Sequence, residues 1–251
     1  SQYLYPVSHQ QLCPIMTSIC VKLEQVLHSI SQATLQAGRE PGSVKLVAVS
    51  KTVPASLVKE AMDCGQLLFG ENYLQEAQEK IPLLGKRANW HFIGRLQSNK
   101  CRDVAALFDM VETVDRLKVA QRLNEHACSL GRRLNILVQV NIGEEAQKAG
   151  IMPEEIGPLL ESIAACTHLV CHGFMALPPF FDNPEASRSY FRQLRQLAEQ
   201  HAQKELFFNN HQVELSMGMS GDYTAAIEEG ATIIRVGTAI FGTRPQSGEL
   251  P

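Results

Sequence analysis

Short apolar runs alternate along this chain with longer stretches whose apolar positions recur every three or four residues. That change of period, from two to about 3.6, separates strands from amphipathic helices. The first helical stretch, residues 17–37, carries Ile19, Val21, Leu23, Val26, Leu27, Ile30 and Leu35 at helical spacing, and is expected to precede the main fold. After the breaker "GREPGS" comes the strand-like run "VKLVAVS". A helix opened by Pro54 follows, carrying Leu57, Val58 and Ala61 and ending near residues 64–65.

The unit then repeats. Apolar runs "QLLFG", "NWHFIG", "LFDMVETV", "LNILVQVNI", "HLVCHGFMAL", "QVELSMG" and "TIIRVG" follow in order, with helical stretches predicted over residues 116–128, 153–165, 184–203 and 221–230. Counting the first, eight strands alternate with helices, the pattern of a closed (β/α)8 TIM barrel of the α/β class. An open doubly wound sheet would ordinarily show a glycine fingerprint after its first strand, where this chain has Lys51. No low-complexity linker interrupts the pattern. One barrel domain is therefore expected over residues 17–244, with an extra N-terminal helix, a disordered extension over residues 1–16 and a short tail at 245–251.

Composition narrows the class. With 251 residues, 45% hydrophobic and 20% charged, the chain can bury a large core, and its formal net charge of -3 gives no general attraction to nucleic acid. Lys86, Arg87, Arg95, Lys100 and Arg102 gather around Trp90, yet scattered surface cations explain them as readily as a nucleic-acid patch. No apolar run is long enough to span a bilayer. Seven cysteines, an odd number with no CxxC pair, argue against a disulfide framework and, with no signal peptide, for the reducing cytoplasm. Cys166, His168, Cys171 and His172 lie close in sequence. On a strand, however, Cys171 and His172 face opposite sides, so no metal site is expected.

In a (β/α)8 barrel the chemistry gathers at the C-terminal ends of the strands. Lys51 ends the first strand on the same side as Val47 and Val49, which points it into the barrel mouth as a candidate imine former rather than a lysine snorkelling to solvent. At the far end of the pattern "SMGMSGD" sets Ser216, Gly218, Ser220 and Gly221 before a helix, and "RVGT" sets Gly237 and Thr238 before another turn. Small residues and hydroxyls there suit a phosphate. A lysine at the first strand and a phosphate cradle at the seventh and eighth together ask for a phosphorylated aldehyde, and pyridoxal 5'-phosphate answers both.

The segments "AVSKT", "FGENYLQEA", "WHFIG", "LQSNK", "VETVD", "LVQVNI", "GFMAL", "LSMGMSGD" and "IRVGTAIFG" resemble, in the same order over about residues 17–243, the YggS/PROSC family of pyridoxal phosphate homeostasis proteins. The family is similar to the N-terminal barrel of alanine racemase, the fold-type III class. The resemblance implies that Lys51 bonds to the cofactor aldehyde as an imine and that Asn72 lies near the ring. It implies too that Ser220, Gly237 and Thr238 hold the phosphate, with Met217 and Gly218 shaping the loop. Arg235 would face the pyridine nitrogen; a guanidinium cannot accept a proton, so the ring would be a weak electron sink. Two departures are visible. Val53 stands where many relatives have lysine, and is expected to alter the charge at the site mouth; Arg95 stands where many have proline. Lys148 matches a lysine common near the family's cofactor entrance.

Three functions compete on these residues. A carrier would hold pyridoxal phosphate, keep the free aldehyde low and hand it to apoenzymes, acting in vitamin B6 and amino-acid homeostasis. A racemase-type enzyme needs a second acid/base, which related enzymes take from an additional C-terminal β-domain, whereas this sequence ends with "TRPQSGELP" soon after its eighth strand. A shallow, solvent-open site is expected, favouring binding by a monomer over efficient catalysis. An aldolase using Lys51 on a phosphorylated sugar would bear no chromophore. His91 in "WHFIG" is the remaining candidate base, with a hydrogen-bonded barrel histidine as the plainer reading.

Overall fold

A computed structural model describes residues 17–244. Helix α1 (Ser18–Gln36) comes first, its free N–H groups partly met by the Thr17 hydroxyl, which accepts from the Cys20 N–H at 3.2 Å. The strands are β1 (Lys45–Val49), β2 (Leu68–Glu71), β3 (Asn89–Phe92), β4 (Met110–Val114), β5 (Leu134–Gln139), β6 (Leu169–Met175), β7 (Glu214–Ser216) and β8 (Ile233–Val236). Between them run α2 (Ala55–Asp63), α3 (Leu74–Leu84), α4 (Cys101–Leu107), α5 (Leu117–Ser129), α6 (Ile156–Ala164), α7 (Arg188–Gln203) and α8 (Tyr223–Glu228), with α9 (Thr238–Phe241) after β8.

All eight strands pair in parallel in sequence order, and β8 closes on β1 with Val47 opposite Arg235 and Ala48 opposite Val236. The expected barrel is present. Alternation sorts each strand's side chains between two cores. Val47, Leu137, Met175 and Ile233 fill the barrel interior, while Ala48, Phe69, Trp90, Phe92, Val111, Ile136, Leu215 and Ile234 pack outward against the helices. The interior apolar layer is thin, because the positions above it are polar.

Several expectations need correction. On α1 the buried face is Ile19, Leu23, Val26, Ile30, Ala33 and Thr34, whereas Val21, Leu27 and Leu35 are 40%, 43% and 52% exposed. The helix lies against α2, α8 and α9, so its contact stripe is narrower than its apolar content suggests. The stretches beginning at Pro153 and Pro184 open as tight turns, Pro153–Glu155 and Pro184–Ser187, before α6 and α7. Helix α8 is shorter than residues 221–230. The cysteine count argued against disulfides, yet Cys20 on α1 and Cys64 at the end of α2 are joined, their Cα atoms 5.6 Å apart. Packing of α1 on α2 creates that proximity, which a sequence separation of 44 residues conceals. The proposed extension at 1–16 and tail at 245–251 lie outside the described residues. None of the helices within them is long and apolar enough to cross a membrane.

Candidate functional site at the barrel mouth

The chain leaves β1 through a tight turn in which the Val53 N–H donates to the Ser50 carbonyl at 3.0 Å. Lys51 is its second residue and is half-buried; Thr52, its third, has φ of 60°, a left-handed conformation rarely taken by β-branched side chains. Val53 is buried in the outer core at 3% exposure. It packs the turn against the helices, an apolar contact that the sequence comparison with lysine-bearing relatives did not anticipate.

At the end of β2, Glu71 is fully buried and Asn72 half-buried, and the Asn72 Oδ1 atom is buried with no hydrogen-bond partner. An orphaned acceptor of this kind costs free energy unless something else supplies a donor. Asn72 is seated against Gly94, where any Cβ would overlap the Asn72 backbone carbonyl.

The far side is built by β7 and β8. Gly218, with φ of 99°, turns the chain after β7, and its carbonyl accepts from the Arg235 N–H at 3.0 Å. A Cβ on Gly218 would lie 2.6 Å from that of Ala226, so the loop hugs α8. This turn brings the half-buried Ser220 to the exposed Thr238 at the start of α9, with 3.4 Å between their hydroxyl oxygens. Because β8 lies beside β1, Gly237 and Thr238 sit next to the Lys51 turn. Met217 departs from the expected group: its side chain is fully buried in the outer core, leaving only its backbone to the loop.

Below the mouth the interior is charged. The Arg235 Nη1 donates to the Ser216 Oγ at 2.6 Å and its Nη2 to the Ala176 carbonyl at 3.0 Å. Ser216 in turn donates to the Glu112 Oε2 at 3.0 Å, and the other Glu112 oxygen meets the His91 Nδ1 at 3.0 Å. Burial alone would raise the Glu112 carboxyl, but the His91 ring, Arg235 and the Ser216 hydroxyl hold it below its ordinary pKa. Burial likewise lowers Arg235, with Glu112 and Asp222 opposing. His91 is thus a partner of Glu112, as its plainer reading had it. Glu112 went unnoticed in the sequence, although an acid at the centre of the apolar run "MVETV" was the available signal.

A second ionic cluster stands behind the Lys51 turn. The Lys80 Nζ, on the barrel-facing side of α3, reaches Glu71 at 2.6 Å, Glu76 at 2.7 Å and the Ser50 carbonyl at 2.7 Å. Burial pushes Glu71 up, against the pull of Lys80. Lys148, on the loop that follows β5, is exposed and 3.2 Å from Glu145, and Arg95 is exposed. His172 bonds the Asn135 side chain at 2.8 Å, and among the described residues no group of three or more His, Cys, Asp or Glu is arranged around a metal position.

The residues suit pyridoxal phosphate on their own chemistry. There is an amine-bearing turn at β1, a pair of hydroxyls before short helices at β7 and β8, a buried guanidinium below, and the partnerless Asn72 oxygen beside them.

Residues 21–245 match the family model described as "Alanine racemase, N-terminal domain". The Pyridoxal phosphate homeostasis protein of Escherichia coli K12 is 45% identical over 239 residues, covering 92% of this chain and 99% of its own length. That of Haemophilus influenzae is 44% identical over 229 residues, covering 90% and 95%. Among solved structures, PipY of Synechococcus elongatus with PLP bound is 35% identical with a TM-score of 0.78, covering 90% of this chain and all (100%) of that one. Alanine racemase of Corynebacterium glutamicum, 16% identical with a TM-score of 0.61, covers 91% of this chain and 63% of that one, and shares the fold. By both the family model and these full-length relatives, the chain belongs to the alanine racemase N-terminal domain family and, within it, to the pyridoxal phosphate homeostasis proteins.

Proposed function

We propose that this protein holds pyridoxal 5'-phosphate through Lys51 and acts as a cofactor carrier in vitamin B6 and amino-acid homeostasis. The observation that carries the reading is the meeting of the Ser220 and Thr238 hydroxyls, 3.4 Å apart, beside the end of β1 that bears Lys51. The convergence places two hydroxyl donors side by side at the barrel mouth, and a phosphate can accept from both. Pyridoxal phosphate supplies, when bound, an aldehyde carbon that takes the Lys51 nitrogen with loss of one water.

The other residues orient and do not react. Asn72 offers its amide to the ring substituents, and Gly237 gives the phosphate a backbone approach. Arg235, fixed by Ser216 and the Ala176 carbonyl, faces the pyridine nitrogen as a donor that cannot take up a proton. That arrangement, with relatives named for homeostasis rather than for a reaction, supports carriage over amino-acid turnover. The protein acts as a monomer in the cytoplasm and supplies apoenzymes that use pyridoxal phosphate.

Visible absorbance before and after borohydride reduction, with the labelled peptide located by mass, tests the reading. A yellow protein labelled on Lys51, and a colourless Lys51→Ala variant, support it. A parent protein that no added pyridoxal phosphate turns yellow overturns it.

A further inference from the structure

Lys80 is an unusual lysine. Its side chain is 6% exposed, and it is spent on a backbone carbonyl and two carboxylates, one of them fully buried. Buried ion pairs are weak contributors to stability, since desolvation offsets most of their attraction. The position of this one suggests another use.

The carbonyl that Lys80 holds, at 2.7 Å, is that of Ser50, in the peptide group just before Lys51. Glu76, itself 2.7 Å from Lys80, accepts the Thr52 N–H, in the peptide group just after Lys51. Glu71 completes the set by accepting from Lys80 and, at 3.1 Å, from the Ser50 hydroxyl. We propose that Lys80 and Glu76 are positioning residues for Lys51, clamping both of its flanking peptide planes and so fixing the direction in which its side chain leaves the backbone. The proposal rests on the reading of Lys51 as the cofactor-bearing residue.

Thr52 adds an independent observation. Its φ of 60° places a β-branched residue where a turn of this kind ordinarily takes glycine. Such strain, of order 1–3 kcal/mol, persists only where the surroundings over-determine it. The Glu76 carboxylate on the Thr52 N–H is the contact that does so here. With both peptide planes held, only the lysine's own side-chain torsions remain to be searched, so the amine spends more of its time within reach of the aldehyde carbon.

The test compares the parent with Lys80→Met, Glu76→Met and Lys80→Arg in two measurements. One is the rate of covalent capture of pyridoxal phosphate, read by visible absorbance and borohydride labelling of Lys51. The other is the affinity for 4-deoxypyridoxine 5'-phosphate, which lacks the aldehyde and reports the cradle alone. Methionine is used at position 76 because glutamine would keep an oxygen able to accept the Thr52 N–H. Capture is expected to slow about tenfold or more in Lys80→Met and Glu76→Met, since small misplacements of a reacting group cost rates of this order. Affinity for the analogue should stay within about threefold of the parent, and Lys80→Arg, which can still donate to the Ser50 carbonyl and the two carboxylates, should recover part of the rate. Capture at the parental rate in folded variants overturns the proposal, as does a loss of analogue affinity in step with capture. If Lys80→Met does not fold, Glu76→Met decides by the same two outcomes. A parent that binds the analogue but labels nothing at Lys51 overturns the proposed function instead.

Discussion

Arg235 and Glu112 are joined through a single hydroxyl: Arg235 donates to the Ser216 oxygen at 2.6 Å, and Ser216 donates onward to Glu112 at 3.0 Å. The guanidinium and the carboxylate are both buried inside the barrel, so each is the counter-charge that makes the other tolerable.

Glu112→Gln keeps the shape and removes the charge, leaving Arg235 uncompensated in a dry interior. A loss of about 3–5 kcal/mol is expected, read as a fall in the urea midpoint at neutral pH. The pH dependence has a defined sign. Since Glu112 is held below its ordinary pKa in the folded state, its contribution is complete above the unfolded carboxylate value of about 4.3 and is lost as pH falls through the folded value. The gap between parent and variant should therefore narrow only below that range.

Ser220→Ala and Thr238→Ala each remove one of the two converging hydroxyls. Each should weaken binding of 4-deoxypyridoxine 5'-phosphate about tenfold, the worth of one hydrogen bond to a charged group, in titration calorimetry. Lys51 should still be labelled at saturating pyridoxal phosphate. Unchanged affinity in both variants would remove the phosphate from this loop.

The barrel was legible because each strand is a short apolar run and each helix changes the period, and the residues at strand ends then follow from the fold. Lys51, Ser220 and Thr238 were singled out that way. What escaped depends on neighbours distant in sequence. Lys80 follows Glu76 by four residues and reads as a solvent-exposed helical pair until α3 is packed on β1 and β2. Glu112 reads as an interruption of a strand until β4, β7 and β8 are placed around one interior. Met217 sits inside a true motif, yet strand alternation turns its side chain away from the mouth.

Gly94 holds a place that no other residue can take without moving the backbone of Asn72. Gly94→Ala should cost about 1–3 kcal/mol by overpacking and displace Asn72, whose buried Oδ1 lacks a partner. Denaturant unfolding reads the first effect. Affinity for the aldehyde-free analogue reads the second, and an unchanged value would separate Asn72 from the ring.

The Cys20–Cys64 link ties the helix that precedes the barrel to the first helix of the barrel itself. Closing a loop across 44 residues restricts the unfolded chain, and the chain-entropy relation gives about 4 kcal/mol for a loop of this length. Oxidised parent protein should therefore melt higher than the same protein in excess reductant, while Cys20→Ser should melt at the lower temperature in both conditions. Two of the four other described cysteines serve as the internal control: burial raises Cys101 to about 11 and Cys171 to about 12, so neither is expected to exchange into a new pair at neutral pH. Alkylation of the unfolded, unreduced protein followed by peptide mapping identifies the protected pair. If Cys20 and Cys64 are labelled there as freely as Cys101, and reductant leaves the melting temperature unchanged, α1 is held to the barrel by its apolar stripe alone.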